Sequence, residues 1–296
     1  SNVFSGYGFG TPQVLQTGAT LLNYPGTGKW ETNEQWNLGL DFSTANGHIY
    51  GNIDIFNRET LDMLIQVMPP AHVGYLHSII ANIGNMRNRG VELNLEYRNK
   101  IGGLNYSVGA NASFIDNELT KLNGGDPYYS TFQKYDEGYA ANVFWGYRYE
   151  GIFQSREDIE NFYSYVTDAD KLAEILKNTS VGDAKYTDVN KDGALDNDDK
   201  VDLGNPLPKW TYGFNASVDY KGFDLQLFVQ GVGGNKIVNA MRLYKTENNS
   251  MVGTLSTSMR DMWTPENTDG TIPVPVSERN TYYSSRHVES GSYLRL

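Results

Sequence analysis

Apolar and polar residues alternate without a break in the segment VELNLEYR, residues 91–98. A period of two places the apolar side chains on one face of a β-strand and the polar side chains on the other face. After the turn NKIGG, the same alternation runs through LNYSVGANASF, residues 104–114. The two segments therefore predict an antiparallel hairpin with one apolar face and one polar face.

Two more hairpins are predicted from the same pattern. WNLGLDF and HIYGNIDIF flank the turn STANG, and KWTYGFNASVDY and FDLQLFVQG flank the tight turn KG. Together the alternating stretches predict an all-β chain with strands over residues 30–43, 47–66, 84–98, 103–121, 207–220, 222–238 and from 291 onward. The connections between hairpins are far longer, over residues 67–83, about 122–206 and about 240–290.

This alternation of short turns and long connections is typical of a bacterial membrane barrel, which has short turns at one rim and long extracellular loops at the other. No apolar stretch is long enough for a membrane-spanning helix, but a transmembrane β-strand needs only ~9 to 11 alternating residues. An odd run of strands cannot close on itself. We therefore expect an antiparallel transmembrane β-barrel of which this chain is a fragment of about seven strands.

The two faces of each predicted strand would meet different surroundings in such a barrel. Leu93 and Leu95 would face lipid, whereas Glu92, Asn94 and Glu96 would face a wet interior. A soluble all-β extracellular module that binds a ligand is the alternative, because a sandwich also alternates apolar and polar residues. The alternation by itself leaves both architectures open.

The longest connection carries helical and metal-binding patterns. The segment SREDIENFYSYVTDADKLAEIL predicts one or two short helices, with Ser155 and Asp168 as N-caps. The following DVNKDGALDNDD matches the calcium-loop pattern D-x-[DN]-x-[DN]-G. The predicted ligands share oxygen donors at the spacing of a calcium loop and are Asp188, Asn190, Asp192, the carbonyl of Ala194, Asp196 and Asp199.

Two features argue against a calcium sensor of the helix-loop-helix type. The last ligand position holds Asp199 where such loops carry a glutamate, and the flanks SVGDAKYT and KVDLGNPLP do not read as helices. We therefore expect Ca²⁺, if bound, to stiffen an extracellular loop. The alternative is an acidic turn that binds nothing.

Aromatic residues are concentrated in YYSTFQKYDEGYAANVFWGYRYEGIF, residues 128–153. Rings with an apolar body and a polar edge can stack on amphipathic ligands such as sugars. The candidate substrate-binding residues are Tyr128, Tyr129, Tyr135, Trp145 and Tyr147. Packing of the loop against itself is the alternative use of the same rings.

Composition and missing motifs exclude several classes of function. A net charge of −11 argues against a nucleic-acid partner, and the absence of cysteine removes disulfides, thiolate metal sites and thiol nucleophiles. The chain has no H-E-x-x-H, no G-x-S-x-G and no complete phosphate-binding loop. We expect no enzyme, and a glycoside hydrolase with two loop carboxylates is the remaining catalytic alternative.

Five segments resemble, in order and in approximate spacing, the barrel of SusC/RagA-type TonB-dependent outer-membrane transporters. They are KWETNEQWNLGLDF (29–42), TLDMLIQVMPP (60–70), NIGNMRNRGVELNL (82–95), DVNKDGALDNDDKVDLGNPLPKWTYGFNASVDYKGFDLQLFVQG (188–231) and SSRHVESGSYLRL (284–296). The resemblance implies a plugged barrel of about 22 strands that imports glycans or peptides. It also implies a SusD-like surface lipoprotein and the TonB complex as partners, in the outer membrane of a Gram-negative bacterium of the Bacteroidota type.

Relative to a complete member of that family, the sequence shows no plug domain and no terminal strands. The resemblance thus implies that residues 1–296 are part of a single barrel domain, from the C-terminal portion of the barrel. Residues 122–206 would then form a long extracellular loop with short helices and the calcium-like loop.

Overall fold

The computed structural model describes residues 4–9, 14–19, 28–67, 79–122, 126–130, 132–242, 256–274, 280 and 282–296 of the 296-residue chain. Antiparallel strands dominate this part of the chain. Among the described residues, no helix is both long enough and apolar enough to cross a membrane.

A short hairpin and four longer strands come first along the chain. Strands β1 (Phe4–Phe9) and β2 (Val14–Ala19) pair with each other. The sequence did not predict them, because both six-residue strands contain glycine and are too short to show a clear alternation. The next four strands are β3 (Thr32–Ser43), β4 (Ile49–Val67), β5 (Ile79–Ile101) and β6 (Leu104–Leu122).

The long connection after β6 is folded and not merely a loop. Its strands are β7 (Tyr128–Tyr129), β8 (Gln133–Tyr135), β9 (Val143–Tyr147), β10 (Tyr149–Ile152), β11 (Ala184–Tyr186) and β12 (Lys200–Gly204). Its helices are α1 (Arg156–Phe162) and α2 (Ala169–Asn178). The predicted N-caps are confirmed: Ser155 accepts a hydrogen bond from the Asp158 amide, and Asp168 accepts from the amides of Asp170 and Lys171.

The chain then returns to long strands and ends in short elements. These elements are β13 (Trp210–Tyr220), β14 (Phe223–Gly233), β15 (Lys236–Val238), the single turn α3 (Ala240–Arg242), β16 (Val288–Ser290) and β17 (Tyr293–Arg295). Strands β15 and β16 pair with each other.

Seven strands form one open antiparallel sheet in the order β17-β14-β13-β6-β5-β4-β3. All three predicted hairpins are neighbours in this sheet, so the predicted all-β antiparallel fold is confirmed. The long connection between β6 and β13 leaves and re-enters the sheet at the same end, and these two strands pair directly. Short turns and long connections therefore lie at opposite ends of the sheet.

Two predicted boundaries were wrong by five residues each, and the others differ by three residues or fewer. Strand β5 begins at Ile79 and not at residue 84, so the connection predicted over 67–83 is shorter; its residues 68–78 lie outside the described residues. The strand predicted over 222–238 ends at Gly233, because Gly234 adopts a φ of 80° and turns the chain away. Lys236–Val238 consequently pairs with β16.

One face of the seven-stranded sheet is apolar from strand to strand. The register brings Leu40 opposite Ile53, Ile53 opposite Leu93, and Leu93 opposite Ala112. Farther along the sheet, Ala216 lies opposite both Val108 of β6 and Leu227 of β14. Because side chains alternate between faces, these residues form one continuous apolar surface.

The opposite face is polar and hydrogen-bonded between strands. Asn105 donates to Asp219 at 3.1 Å, and the hydroxyls of Ser107 and Ser217 lie 2.8 Å apart. Cross-strand polar pairs of this kind stabilise a sheet whose surface is in contact with water. The sheet therefore separates an apolar surface from a wet surface.

Charged pairs end the apolar face on the side of the long connections. Beyond Val91 and Phe114, the same face carries Arg89, whose guanidinium lies 2.9 Å from the carboxylate of Asp116. Arg87 and Glu118 follow, with 2.6 Å between their charged groups. The apolar face is thus a band that ends before the strands do.

The buried apolar core lies outside this band. Leu38 and Leu95 in the sheet are 67% and 50% exposed, whereas Phe153 and Ile159 in the long connection are fully buried. Ile159 of α1 forms one cluster with Phe153, Tyr163 and Val166, which lie just before and just after this helix in the sequence. The long connection therefore has a core of its own, and the sheet presents its apolar side outward.

Candidate functional site

The calcium-like loop joins β11 to β12 in the long connection. Strand β11 pairs with β10 and strand β12 pairs with β9, so both ends of the loop are held by neighbouring strands. The prediction that the flanks are not helical is confirmed. A 3₁₀ turn, Asn197–Asp199, closes the loop, with Asp196 as its N-cap.

Side-chain oxygens and backbone amides fold the loop back on itself. The Asp188 carboxylate accepts from the Gly193 amide through Oδ2 at 2.7 Å, and Asp192 accepts from the Ala194 amide at 2.6 Å. The Asp199 carboxylate is fully buried and accepts from the amides of Val189 and Asp196. Gly193 adopts a φ of 82°, which favours glycine at the sharpest bend of the loop.

Asp188 combines deep burial with a free oxygen. Its side chain is 8% exposed, and its Oδ2 also accepts a 2.7 Å hydrogen bond from the Tyr165 hydroxyl. Its second oxygen, Oδ1, is buried and has no hydrogen-bond partner among the described residues. The carboxylate raises the pKa of the Tyr165 hydroxyl, although burial of that hydroxyl is the larger cause of the shift.

Helix α2 contributes a cation to the rim of the loop. The Lys171 ammonium donates to the Asp192 carbonyl and lies 3.7 Å from the Asp192 carboxylate. The Ala194 amide, followed by Lys171, holds the pKa of Asp192 below its usual value. Tyr165 and Lys171 therefore attach the loop to the α1–α2 segment.

The six predicted ligand positions lie together in this one loop. In the part of the chain that the structure describes, however, no three acidic or histidine side chains converge as a ready-made metal cluster. Ca²⁺ binding consequently stays a prediction.

The predicted aromatic residues pack mainly against protein groups. Tyr147 is 8% exposed, and its ring stacks on Tyr282 at 5.2 Å between ring centroids. Burial raises the pKa of the Tyr147 hydroxyl to about 12, with smaller effects from Tyr282 and Asp199. Tyr129 lies in a different position, with 54% of its surface exposed.

Trp145 belongs to a cation-binding pair of rings. The Lys134 ammonium lies 4.1 Å from the Trp145 ring and 4.5 Å from the Tyr139 ring, and it pairs with Asp136 at 2.8 Å. Lys134 is only 7% exposed. The remaining two predicted rings, Tyr128 and Tyr135, contact each other at 5.6 Å between centroids. Substrate stacking by these residues stays a prediction, and Tyr129 is the most accessible of them.

A cavity of about 940 Å³ lies beside the long connection. Among its lining residues are Tyr149, Arg242, Asp261, Asp269 and Arg286, so both signs of charge face the same space. The Arg286 guanidinium lies 5.6 Å from the centre of the Tyr149 ring.

Sequence reasoning missed several residues of these sites. Tyr165 and Lys171 contact the calcium-like loop from 23 and 21 positions away along the chain. Lys134 carries no sequence signal at all, because a buried lysine and an exposed lysine look alike in a sequence. Contacts of this kind between distant residues depend on how the long connection folds, so the sequence pattern does not predict them.

An open antiparallel sheet with a continuous apolar band on one face and hydrogen-bonded polar pairs on the other defines part of the wall of a membrane β-barrel. A family model described as TonB dependent receptor-like, beta-barrel, matches residues 2–241. The chain belongs to this family, and the resemblance to SusC/RagA-type transporters is confirmed.

Individual relatives are similar over most of the chain. TonB-dependent receptor P3 of Formosa agariphila is 31% identical over 279 residues, which is 90% of this chain and 26% of the relative. TonB-dependent receptor SusC of Bacteroides thetaiotaomicron is 26% identical over 283 residues, which is 90% of this chain and 25% of the relative.

A solved structure, that of the RagAB peptide transporter, has the same fold with a TM-score of 0.73 and 22% sequence identity. The match covers 100% of this chain and 31% of the matched chain. By comparison, the chain spans about a quarter of the length of the relatives P3 and SusC.

Proposed function

We propose that the intact protein imports oligosaccharides or peptides across the outer membrane as the barrel of a SusCD-like, TonB-dependent transporter. The observation that carries the proposal is the apolar band, which runs without interruption from β3 to β14. An exposed apolar surface of this extent is stable in lipid and would promote aggregation in water. The membrane would be the outer membrane of a Gram-negative bacterium of the Bacteroidota type.

The polar face of the sheet would line the interior of the barrel. Its Asn105–Asp219 and Ser107–Ser217 pairs bond across strands and keep the wall rigid without closing the space inside. A plug domain and the TonB complex would open this space with energy from the inner membrane. The relatives' name, TonB-dependent receptor, supports that partner.

The folded long connection would form part of the outer mouth, where we place a SusD-like surface lipoprotein as partner. The cavity beside Tyr149 offers a first contact for cargo, because its arginines and aspartates suit the charged groups of a peptide. The structurally similar RagAB complex is a peptide transporter, which supports a peptide as cargo. An aromatic ring such as Tyr149 would suit a sugar equally well.

Other functions have less support. A soluble extracellular module would bury its apolar face, whereas here Leu38 and Leu95 are exposed. The relatives are named receptors, and we propose no catalytic role for this chain. Its net charge of −11 argues against a nucleic-acid partner.

Depletion of substrates from the medium tests this proposal. Cells with and without the gene would be given a defined mixture of peptides and oligosaccharides, and the disappearance of each compound would be followed by mass spectrometry. We expect deletion to abolish uptake of one class, an uncoupler to have the same effect, and an intact copy of the gene to restore uptake. Equal depletion by both strains, or uptake that survives the uncoupler, would contradict energy-dependent import.

A further inference from the structure

The calcium-like loop contains a buried charge that the protein leaves without a full set of partners. Asp188 is 8% exposed, and its Oδ1 makes no hydrogen bond with any described residue. Burying an ionised carboxylate oxygen without a partner is energetically unfavourable, because the oxygen loses its hydration and gains no bond in exchange. Something that accepts electron pairs from this oxygen would remove that cost.

The composition of the loop that carries this oxygen favours a cation over a neutral donor. Five aspartates lie within the segment 188–199, and lysine supplies the only positive side chain inside it. The other Asp188 oxygen already accepts from the Gly193 amide and the Tyr165 hydroxyl. A hard divalent cation with oxygen ligands would satisfy Oδ1 and offset the mutual repulsion of the carboxylates.

We propose that the loop binds Ca²⁺, with Asp188 Oδ1 as its central ligand. Asn190, Asp192, the Ala194 carbonyl and Asp199 supply the other oxygens, and Asp196 contributes through water, as the ninth position of such loops often does. This inference concerns the loop alone and does not depend on what the barrel transports.

Binding requires a small movement, because the carboxylates do not yet converge. The Asp192 side chain is 47% exposed, so it has room to turn towards Asp188, and in turning it would exchange the hydrogen bond from the Ala194 amide for the ion. The Asp199 carboxylate is fully buried and accepts a hydrogen bond from the amide of Val189, the residue next to Asp188. Each of its oxygens keeps a second lone pair after accepting one amide hydrogen bond.

The ion would also fix the α1–α2 segment to the strands. Tyr165, between the two helices, bonds directly to the Asp188 carboxylate, and Lys171 of α2 bonds to Asp192. Ordering the loop therefore orders the contacts that hold α2. In the absence of Ca²⁺ we expect the loop and α2 to open together more often than the neighbouring strands β9 and β12.

Terbium luminescence tests the site in an intact barrel that contains this sequence, folded in detergent. Tb³⁺ takes oxygen ligands as Ca²⁺ does, and tyrosines beside the site, Tyr165 above all, would sensitise its emission. We expect saturable emission that Ca²⁺ displaces with a dissociation constant of about 0.1 to 1 mM, the range of extracellular modules. Asp188→Asn should weaken binding by about 100-fold or more, since even supporting residues of metal sites cost 10- to 100-fold.

Asp198→Asn is the matched control, because Asp198 lies in the same loop, is exposed and is outside the ligand set. It should bind Tb³⁺ and Ca²⁺ as the wild type does. If Asp188→Asn prevents folding, Asp192→Asn takes its place, since the Asp192 side chain is 47% exposed and the change leaves the core intact.

Hydrogen exchange provides the second measurement. Ca²⁺ should slow exchange in Ala169–Asn178 and in the loop of the wild type and of Asp198→Asn, but not of Asp188→Asn. No Tb³⁺ or Ca²⁺ binding by the wild type at about 10 mM, above the weakest class of such sites, would overturn the proposal. Equal losses in Asp188→Asn and Asp198→Asn would overturn it too, since general charge and not a defined site would then be responsible.

Discussion

Adjacent residues on one strand of the sheet have opposite surroundings. Leu95 lies on the apolar band opposite Gly51 and Ala110, whereas Asn94 lies on the polar face opposite Asn52 and Asn111. This difference follows from the period of two along β5. A single charged residue can therefore test which face meets lipid.

Leu95→Arg should destabilise the folded barrel, because it places a guanidinium in the lipid region. The expected cost is about 2 to 4 kcal/mol near the middle of the membrane, while Asn94→Arg should change stability little. Urea-dependent unfolding of an intact barrel in lipid vesicles measures both free energies. Equal and small effects of the two changes would show that the faces are wrongly assigned.

Lys134 is a buried cation with three partners. Its ammonium lies between the rings of Tyr139 and Trp145 and pairs with Asp136. Lys134→Met keeps most of the side-chain volume. It removes the ion pair with Asp136 and the cation–π contacts with the Tyr139 and Trp145 rings. We expect a local loss of about 1 to 3 kcal/mol.

Hydrogen exchange in β8 and β9 should report this loss as faster exchange. Lys177→Met is the control, because Lys177 is exposed on α2. If the two variants exchange alike, the ring contacts of Lys134 add nothing to stability.

At the scale of elements, helix α1 is held by an ion pair with β11. The Asp158 carboxylate lies 2.6 Å from the Lys185 ammonium and also accepts from the Gln154 amide. Burial alone would raise the pKa of Asp158, but the hydrogen bonds from Lys185 and Gln154 outweigh burial and lower the pKa. The folded state thus binds this proton less tightly than the unfolded state does.

The stabilisation from Asp158 should therefore be complete above about pH 4 and should be lost as the pH falls through the lowered pKa. We expect α1 to lose protection from hydrogen exchange as the pH falls below about 4, after correction for the chemical exchange rate. Asp158→Asn should reduce protection at neutral pH and remove this acid-dependent loss. Glu157→Gln, an exposed neighbour, should behave like the wild type, and an unchanged acid profile in Asp158→Asn would contradict the assignment.

Element length explains which parts of the fold could be predicted. Strands β3 to β6, β13 and β14 contain at least 11 residues each, so their alternation is clear in the sequence. Strands β7 to β12 contain two to five residues, too few to show a period. The helices were predictable from their caps and the calcium-like loop from its spacing, because both signals are local.

Contacts between distant segments could not be predicted. Tyr165 reaches Asp188 because the long connection folds over itself, and Tyr147 stacks on Tyr282 because the later connection before β16 folds against it. The same folding covers Tyr147, which the sequence offered as a candidate for binding substrate. The alternation of residue types predicts the face of a strand on which a residue lies. It does not predict which distant segment packs against that face.

At the scale of the whole molecule, the dimensions of the sheet fit a membrane. Strand β13 has 11 residues, with Trp210 at one end and Tyr220 at the other, on the apolar face. At ~3.4 Å per residue this distance is about 34 Å, and a tilt of ~45° reduces it to about 24 Å across the membrane. The apolar band of outer-membrane barrels is ~25 Å tall and is flanked by aromatic residues.

Among the described residues, the sheet ends at two edge strands, β3 and β17, whose outer backbone groups have no strand partner. Residues 1–296 produced alone, without detergent, should therefore associate through these edges and through the apolar band. Analytical ultracentrifugation should show large, heterogeneous species, whereas an intact barrel that contains the sequence should be a defined particle in detergent.

The alternative of a soluble module predicts the opposite result from the same experiment. A chain that buries its apolar face would sediment as a single monomeric species in buffer, with a cooperative unfolding transition. Exposure of Leu38 and Leu95 makes that outcome incompatible with the sheet described above. A soluble monomer with the β-structure of this sheet would thus overturn the membrane assignment and the transport function together.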